Sequence, residues 1–269
     1  MLKLYHHYMS ICAAKVRIAL AEKGLEWEGQ LLDLSAGDQF KPDYLSLNPK
    51  AVVPTLVHDD HILTESNIII EYLDDAFPDP VLRSGSAHER AQMRLLLMRL
   101  DNGSEGIHHD MSVVTYGSAY RLHLLERVTG HNKKDIDKEI DRSMNAYSKK
   151  WLQETVHEGV EAQSYKKAIL GIKKLLDDFE TMLGKTRWLS GSEYSLADLA
   201  YTSYMARLEM LGFEGMWLQQ PNVSNWYKRL KQKPSFQQGI VDWLNPESVK
   251  VLQEGGREVW PKVEKLIKQ

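Results

Sequence analysis

Cysteine is all but missing: Cys12 is the single thiol in 269 residues. Neither an intramolecular disulfide nor a multi-thiolate zinc site can be built from it. An excess of positive charge is missing too. Thirty-four Lys and Arg stand against thirty-seven Asp and Glu, a net charge of −3, which removes the electrostatic footprint of a nucleic-acid binder. Nowhere do about 18 apolar residues run consecutively, so no membrane-spanning helix is expected. The start, MLKLYHHYMS, lacks a basic cluster followed by an apolar run, which argues against a secretory signal. With the single thiol, these absences lead us to expect a cytoplasmic protein with neither nucleic-acid nor membrane partners. What is present is ordinary globular material, 43% apolar and 26% charged. The lone thiol is then either a buried spectator or the site of the chemistry.

The length exceeds what one core of typical size needs, and the residue pattern divides the chain. Leu2 to His6 suits a short strand. Ala13, Val16, Ile18, Leu20 and Ala21 recur at near-helical spacing between Ser10 and Lys23, with Gly24 as the stop. Glu26 to Leu32 reads as a second strand, giving a strand–helix–strand unit with a right-handed crossover. Thr55, Leu56 and Val57 precede Asp59-Asp60, then Ile62 and Leu63, which is a hairpin around a turn-forming pair. Ile68 to Phe77 is a helix ending before Pro78 and Pro80.

That order predicts an α/β thioredoxin-like domain with a mixed sheet over residues 1–80. FPDPVLRSGSAHER is the expected linker. Residues 88–269 read as an all-α helical-bundle domain, beginning with a helix over Arg90 to Leu100. Ala168, Ile169, Ile172, Leu175, Leu176, Phe179 and Leu183 form one helical stripe. KKDIDKEIDR reads as a solvated helix face. Ser195 and Asp198 are spaced as a capping box, with Tyr194 placed to staple Leu199. Trp217, Trp226, Trp243 and Trp260 read as packing of the helical core.

Ser10 and Cys12 fall at the first strand-to-helix turn. The unpaired amides and dipole of a helix start stabilise an anion, and such a position favours the thiolate of a cysteine. Cys12 is therefore a candidate reactive thiol and Ser10 a hydroxyl able to hydrogen-bond a thiolate. The more ordinary reading makes Cys12 a small buried hydrophobe and Ser10 a plain N-cap. Val53-Pro54 precedes a strand. In the cis form it leaves the N–H and C=O of Val53 for an extended peptide; otherwise Pro54 merely starts the strand. Thr64-Glu65-Ser66-Asn67 opens the next helix, which Thr64 or Ser66 can cap. The same amides, with Ser66, can instead hold a ligand carboxylate while Glu65 faces an ammonium. A thiol site, a peptide-backbone site and an amino-acid site in one small domain describe a small thiol peptide. His6 and His7 are adjacent on a strand and point to opposite faces, so no metal site is expected there.

These strings resemble the glutathione transferase superfamily over essentially the whole chain. YHHYMSICAAKVRIALAEKGLEWE is similar to the first strand and helix of the zeta class, whose pattern is SSC, a spacer and RVRIAL. LNPKAVVPTLVHDDHILTESNIIIEYLDD resembles the family's cis-proline strand and Glu-Ser helix start, and YSLADL the capping box of its helical domain. A narrower resemblance is to the bacterial chlorohydroquinone reductive dehalogenases. It rests on MSIC at 9–12, LNPKAVVPTLV, VVTYG at 113–117, YSLADL with ARLEMLGF at 206–213, and PNV, WYKRL and SF near the end. The β-aryl-ether-cleaving transferases share TES and a long helical insertion, without an evident Ser-x-Cys.

The resemblance implies glutathione as co-substrate, no metal, and a glutathione site made of Ser10, Val53, Pro54, Glu65 and Ser66. It implies that Ser10 assists the glutathione thiolate and that Cys12 forms a mixed disulfide with glutathione. It implies a small hydrophobic electrophile as acceptor, contacted by Tyr8, Met9, His109 and Tyr116, although His108 and His109 read equally well as a polar helix face. It implies a homodimer. The implied activity is glutathione transfer to an electrophilic aromatic acceptor, a halogenated hydroquinone or quinone among the candidates, with or without reductive loss of the leaving group. Ether cleavage, isomerisation and a non-catalytic glutathione-binding scaffold are the alternatives. The intact set Ser10, Cys12, Pro54, Glu65 and Ser66 argues against the scaffold.

Overall fold

A computed structural model describes the chain except residues 84, 122–124, 126–135, 139, 142–145 and 269, and the side chains at 146–148 and 150. Leu2–His6 (β1) buries every second residue, Leu2, Leu4 and His6, as a strand with one covered face must. It pairs in parallel with Glu28–Leu31 (β2) and antiparallel with Thr55–His58 (β3). β3 turns through Asp59, at φ 53°, into antiparallel His61–Leu63 (β4). The sheet order is β2-β1-β3-β4, and Leu56 stands opposite both Leu4 and Leu63.

Ile11–Glu22 (α1) connects β1 to β2 and stops at Gly24, whose φ of 61° suits glycine. Pro42–Leu47 (α2) precedes β3, and Ser66–Ala76 (α3) follows β4. α3 starts two residues before the apolar pattern does, because its polar first turn carries no hydrophobic period. This mixed sheet with its helices is the thioredoxin-like layer.

The remainder is helical: Ala87–Leu100 (α4), Ile107–Thr115 (α5) with a π-helical turn at Tyr116–Tyr120, Ala146–Glu158 (α6), Gln163–Leu183 (α7), Leu196–Met210 (α8), Pro221–Lys231 (α9), Pro234–Gly239 (α10) and Pro246–Ile267 (α11). The predicted stripe of α7 is buried from Ala168 to Leu183. Half of KKDIDKEIDR lies outside the described residues; in the other half Lys138 and Asp141 are exposed, as a solvated face requires, while Ile136 and Ile140 are buried. No helix among the described residues is long and apolar enough to cross a membrane.

Two compact units form. The first joins Met1–Leu97 with Met182–Met205 and Asn225–Asn245; the second joins Met98–Thr181 with Ala206–Ser224 and Pro246–Gln269. In the first, α10 ends against α1 at Gly239, where a Cβ would sit 2.6 Å from Ile18 Cγ1. At the start of α8, Ser195 donates its N–H (3.0 Å) and its hydroxyl (2.9 Å) to Asp198 Oδ2. Leu189 N–H and Trp226 Nε1–H donate to Oδ1, each at 2.9 Å. The serine hydroxyl thus serves the carboxylate instead of an amide, because Asp198 is wholly buried and an acceptor-only group there needs donors. Burial still pushes its carboxyl up to about 6. Tyr194 packs its ring edge-on against Trp188 at 5.2 Å.

Candidate active site

Tyr8, Met9, Ser10 and Cys12 lie in the turn from β1 into α1 and in the helix's first turn. Arg17, buried in α1, reaches back to hold this turn. Its Nη1 donates to the His7 carbonyl at 3.3 Å, its Nη2 to the Tyr8 carbonyl at 3.1 Å, and its Nε to the Gly239 carbonyl at 2.9 Å. The guanidinium also lies 5.1 Å from the Trp243 ring, so this tryptophan serves the first unit. Nη1 faces His6 Nδ1 at 3.3 Å. Because a guanidinium only donates, Nδ1 accepts and His6 carries its proton on Nε2. Burial, with Arg17 adding to it, holds His6 down at about 3, and burial draws Arg17 down to about 9. At neutral pH a neutral imidazole and a charged guanidinium therefore brace the turn.

Met9 is buried, whereas Tyr8, Ser10 and Cys12 are partly exposed. Ser10 is the N-cap of α1, its hydroxyl oxygen accepting from Ala13 N–H at 3.1 Å. Capping uses a lone pair and leaves the O–H able to donate, so cap and thiolate partner are compatible roles. Cys12 is in no disulfide.

The Val53–Pro54 bond is cis. Tyr5 stands opposite Thr55, which sets this corner beside the end of β1. The Val52 carbonyl accepts from Tyr44 Oη at 2.6 Å and Asn48 Nδ2 at 2.9 Å. The N–H and C=O of Val53 itself have no intramolecular partner among the described residues, a state that suits pairing with an extended peptide.

At the start of α3, Glu65 holds the N-cap position at φ 65°, a positive value uncommon for a residue with a side chain and of the strained kind that ligand clamps can hold. Its carboxylate accepts from Lys50 Nζ at 2.6 Å and caps nothing. The Ser66 hydroxyl accepts from Lys15 Nζ at 3.0 Å. The amides of Ser66, Asn67 and Ile68 therefore have no partner among the described residues, and the helix dipole adds to their pull on an anion.

In the second unit, His109 and Tyr116 both pack edge-on against Trp151, at 5.9 and 5.7 Å, and Tyr116 also meets Tyr120 at 5.4 Å. Burial pushes the Tyr116 phenol up to about 12 and lowers His109. Beside them the Asp110 carboxyl is raised to about 7 by loss of solvent, with Lys167 opposing. Gly171 makes the room: a Cβ there would overlap Asp110 Oδ2. Sequence reasoning missed Trp151 and Asp110, because VVTYG marks only Tyr116 and nothing local ties residue 151 to it. Lys15, Arg17 and Lys50 were missed as well, each reading as an ordinary polar residue.

Residues 1–75 match the family model "Glutathione S-transferase, N-terminal domain", and residues 161–229 match "Glutathione S-transferase, C-terminal domain". The chain is 30% identical over 245 residues to the tetrachloro-p-hydroquinone reductive dehalogenase of Sphingobium chlorophenolicum, covering 88% of this chain and 95% of that one. It is 40% identical over 115 residues to glutathione S-transferase Z1 of Arabidopsis thaliana, or 43% of this chain and 52% of the relative. In fold it is similar to the beta-etherase LigF of Sphingobium sp. strain SYK-6, with a TM-score of 0.75 at 24% identity over 88% of this chain and 98% of that structure.

Proposed function

The chain belongs to the glutathione S-transferase family and is an enzyme of it, and from that premise we propose that it transfers glutathione to a halogenated hydroquinone or quinone and removes the halogen reductively. The observation that carries this reading is one domain holding Cys12 in the first turn of a serine-capped helix, an unpaired Val53 backbone and an uncapped start of α3. Glutathione pairs with Val53, places its γ-glutamyl carboxylate at Ser66 and its ammonium at Glu65, and presents its sulfur to Ser10. Tyr8 and Met9, in the same unit as Ser10, are the residues proposed to contact the acceptor.

The Ser10 O–H and the amides of α1 stabilise the thiolate, a preorganised electrostatic site for a nucleophile. The thiolate attacks the acceptor carbon, and halide leaves with the bonding pair. The Cys12 thiolate then attacks the glutathionyl sulfur: an S–S bond forms, the C–S bond breaks, and its electron pair takes a proton to give C–H. A second glutathione resolves the Cys12–glutathione disulfide by exchange. Two thiols are oxidised to one disulfide as one carbon–halogen bond is reduced, so the electrons balance.

The test is intact mass after incubation with glutathione disulfide, together with turnover of a chlorinated hydroquinone. One glutathionyl adduct on the wild type, none on Cys12→Ser, and halide release coupled to glutathione oxidation are expected. Phenol release from a β-aryl ether without dechlorination would assign ether cleavage instead. Failure to bind glutathione sinks the reading altogether. We also propose a homodimer, supported by Ile62 on β4 and Ile68 on α3, which stand 47% and 56% exposed.

A further inference from the structure

Two lysines in and next to α1 have wholly buried side chains, and they are treated differently. Lys23 donates to the Asp74 carboxylate and to the carbonyls of Phe77 and Pro80, the usual way a buried ammonium is tolerated. Lys15, 0% exposed, donates to two neutral acceptors, Ser66 Oγ at 3.0 Å and Asn67 Oδ1 at 2.6 Å. The Tyr204 ring lies 5.7 Å from its Nζ. No carboxylate among the described residues pairs with it. Its two acceptors are the first residues of α3, where three amides are also unpartnered. Asn67 is itself pinned, donating from Nδ2 to the Leu97 carbonyl at 2.8 Å. A cation out of water, a hydroxyl it polarises and three open amides all favour one negative charge at the same place.

We infer that Lys15 is the buried counter-charge of the ligand carboxylate bound at the start of α3, a positioning residue that acts through Ser66. The inference rests on the glutathione reading above, which places a carboxylate there without requiring a cation. By donating to Ser66 Oγ, Lys15 occupies a lone pair and leaves the Ser66 O–H to donate to the carboxylate. Its charge is uncompensated until that carboxylate arrives, so the site selects thiols that carry one at this end.

Binding is measured by calorimetry for glutathione and for the analogue with γ-aminobutyryl in place of γ-glutamyl, which keeps the ammonium and lacks the carboxylate. The wild type is expected to prefer glutathione. Lys15→Met is expected to weaken glutathione binding about tenfold and to change the analogue little, so that the preference collapses. Asn67→Asp keeps Lys15 and supplies the missing carboxylate from inside the protein. It is expected to cost glutathione a similar factor, and it decides the matter where Lys15→Met does not fold. Equal weakening of both thiols makes Lys15 merely structural and overturns the inference, as does an unchanged preference in either variant. A wild type that binds no glutathione is instead the failure of the underlying reading, seen before any variant is made.

Discussion

Ser10 serves α1 with a lone pair and the proposed thiolate with its O–H, so removing the hydroxyl acts on two observables at once. Ser10→Ala is expected to lower stability by about 1 kcal/mol in urea unfolding, through loss of the cap. It is also expected to lower kcat/KM for a generic aryl halide by about 100-fold. Ser10→Thr keeps both functions, and a stability loss with an unchanged rate would leave Ser10 a cap only. Asp110 makes a prediction about pH. Its carboxyl rises from 3.8 to about 7 on folding, through burial. Between those values the folded protein holds a proton that the unfolded chain has released, so this group makes stability fall as pH rises through that window. Unfolding measured across it should show a flatter profile for Asp110→Asn; identical profiles would mean that Asp110 does not titrate as described. At this scale the sequence was legible wherever the signal was local. Ser10 and Cys12 stand out because capping and thiol chemistry need only a helix start. Lys15 and Arg17 do not, because their partners, Ser66, Asn67 and the Gly239 carbonyl, are brought to them by the fold.

Among the elements, α11 breaks a local rule and shows why. Gly255 and Gly256 sit inside it, where each glycine costs about 1 kcal/mol against alanine. A Cβ at 255 would lie 2.6 Å from Ala119 Cα and overlap the Ser118 carbonyl oxygen; one at 256 would lie 2.7 Å from the Leu211 carbonyl carbon and overlap its oxygen. The pair exists because α11 lies against backbone there. Gly256→Ala should therefore lower stability by about 2 kcal/mol despite its better propensity, and a raised Tm would remove the packing account. Read locally, two adjacent glycines are a helix break, and the residues they admit are far away in the chain. The hairpin of β3 and β4 is the opposite case. Its turn pair and flanking apolar residues are contiguous, and the structure pairs Val57 with Ile62 across Asp59-Asp60. Trp243 illustrates the limit of pattern. Its apolarity marks it for packing, but only the fold sets it beside His6, Trp27 and Arg17.

For the whole molecule, periodicity ranks burial without saying which compact unit a segment joins, and Met182–Met205 and Asn225–Asn245 return to the first unit. What that unit leaves uncovered bears on assembly. Ile62, Ile68 and Leu95 are 47%, 56% and 53% exposed. α3 and α4 run close together where Asn67 Nδ2 donates to the Leu97 carbonyl, so Ile68 and Leu95 belong to neighbouring helices. A net charge of −3 sets up little repulsion between copies, and large apolar side chains grouped on one domain are what a partner covers. A two-fold interface places the same patch on both sides, so one substitution acts twice. Ile68→Lys then buries one cation on each side of the proposed interface. The dimer dissociation constant is expected to rise by at least about 100-fold, with helical circular dichroism unchanged. Sedimentation at micromolar concentration should give twice the chain mass for the wild type and the chain mass for Ile68→Lys. A wild type at the chain mass would end the dimer proposal, and a dimeric Ile68→Lys would move the interface off this face.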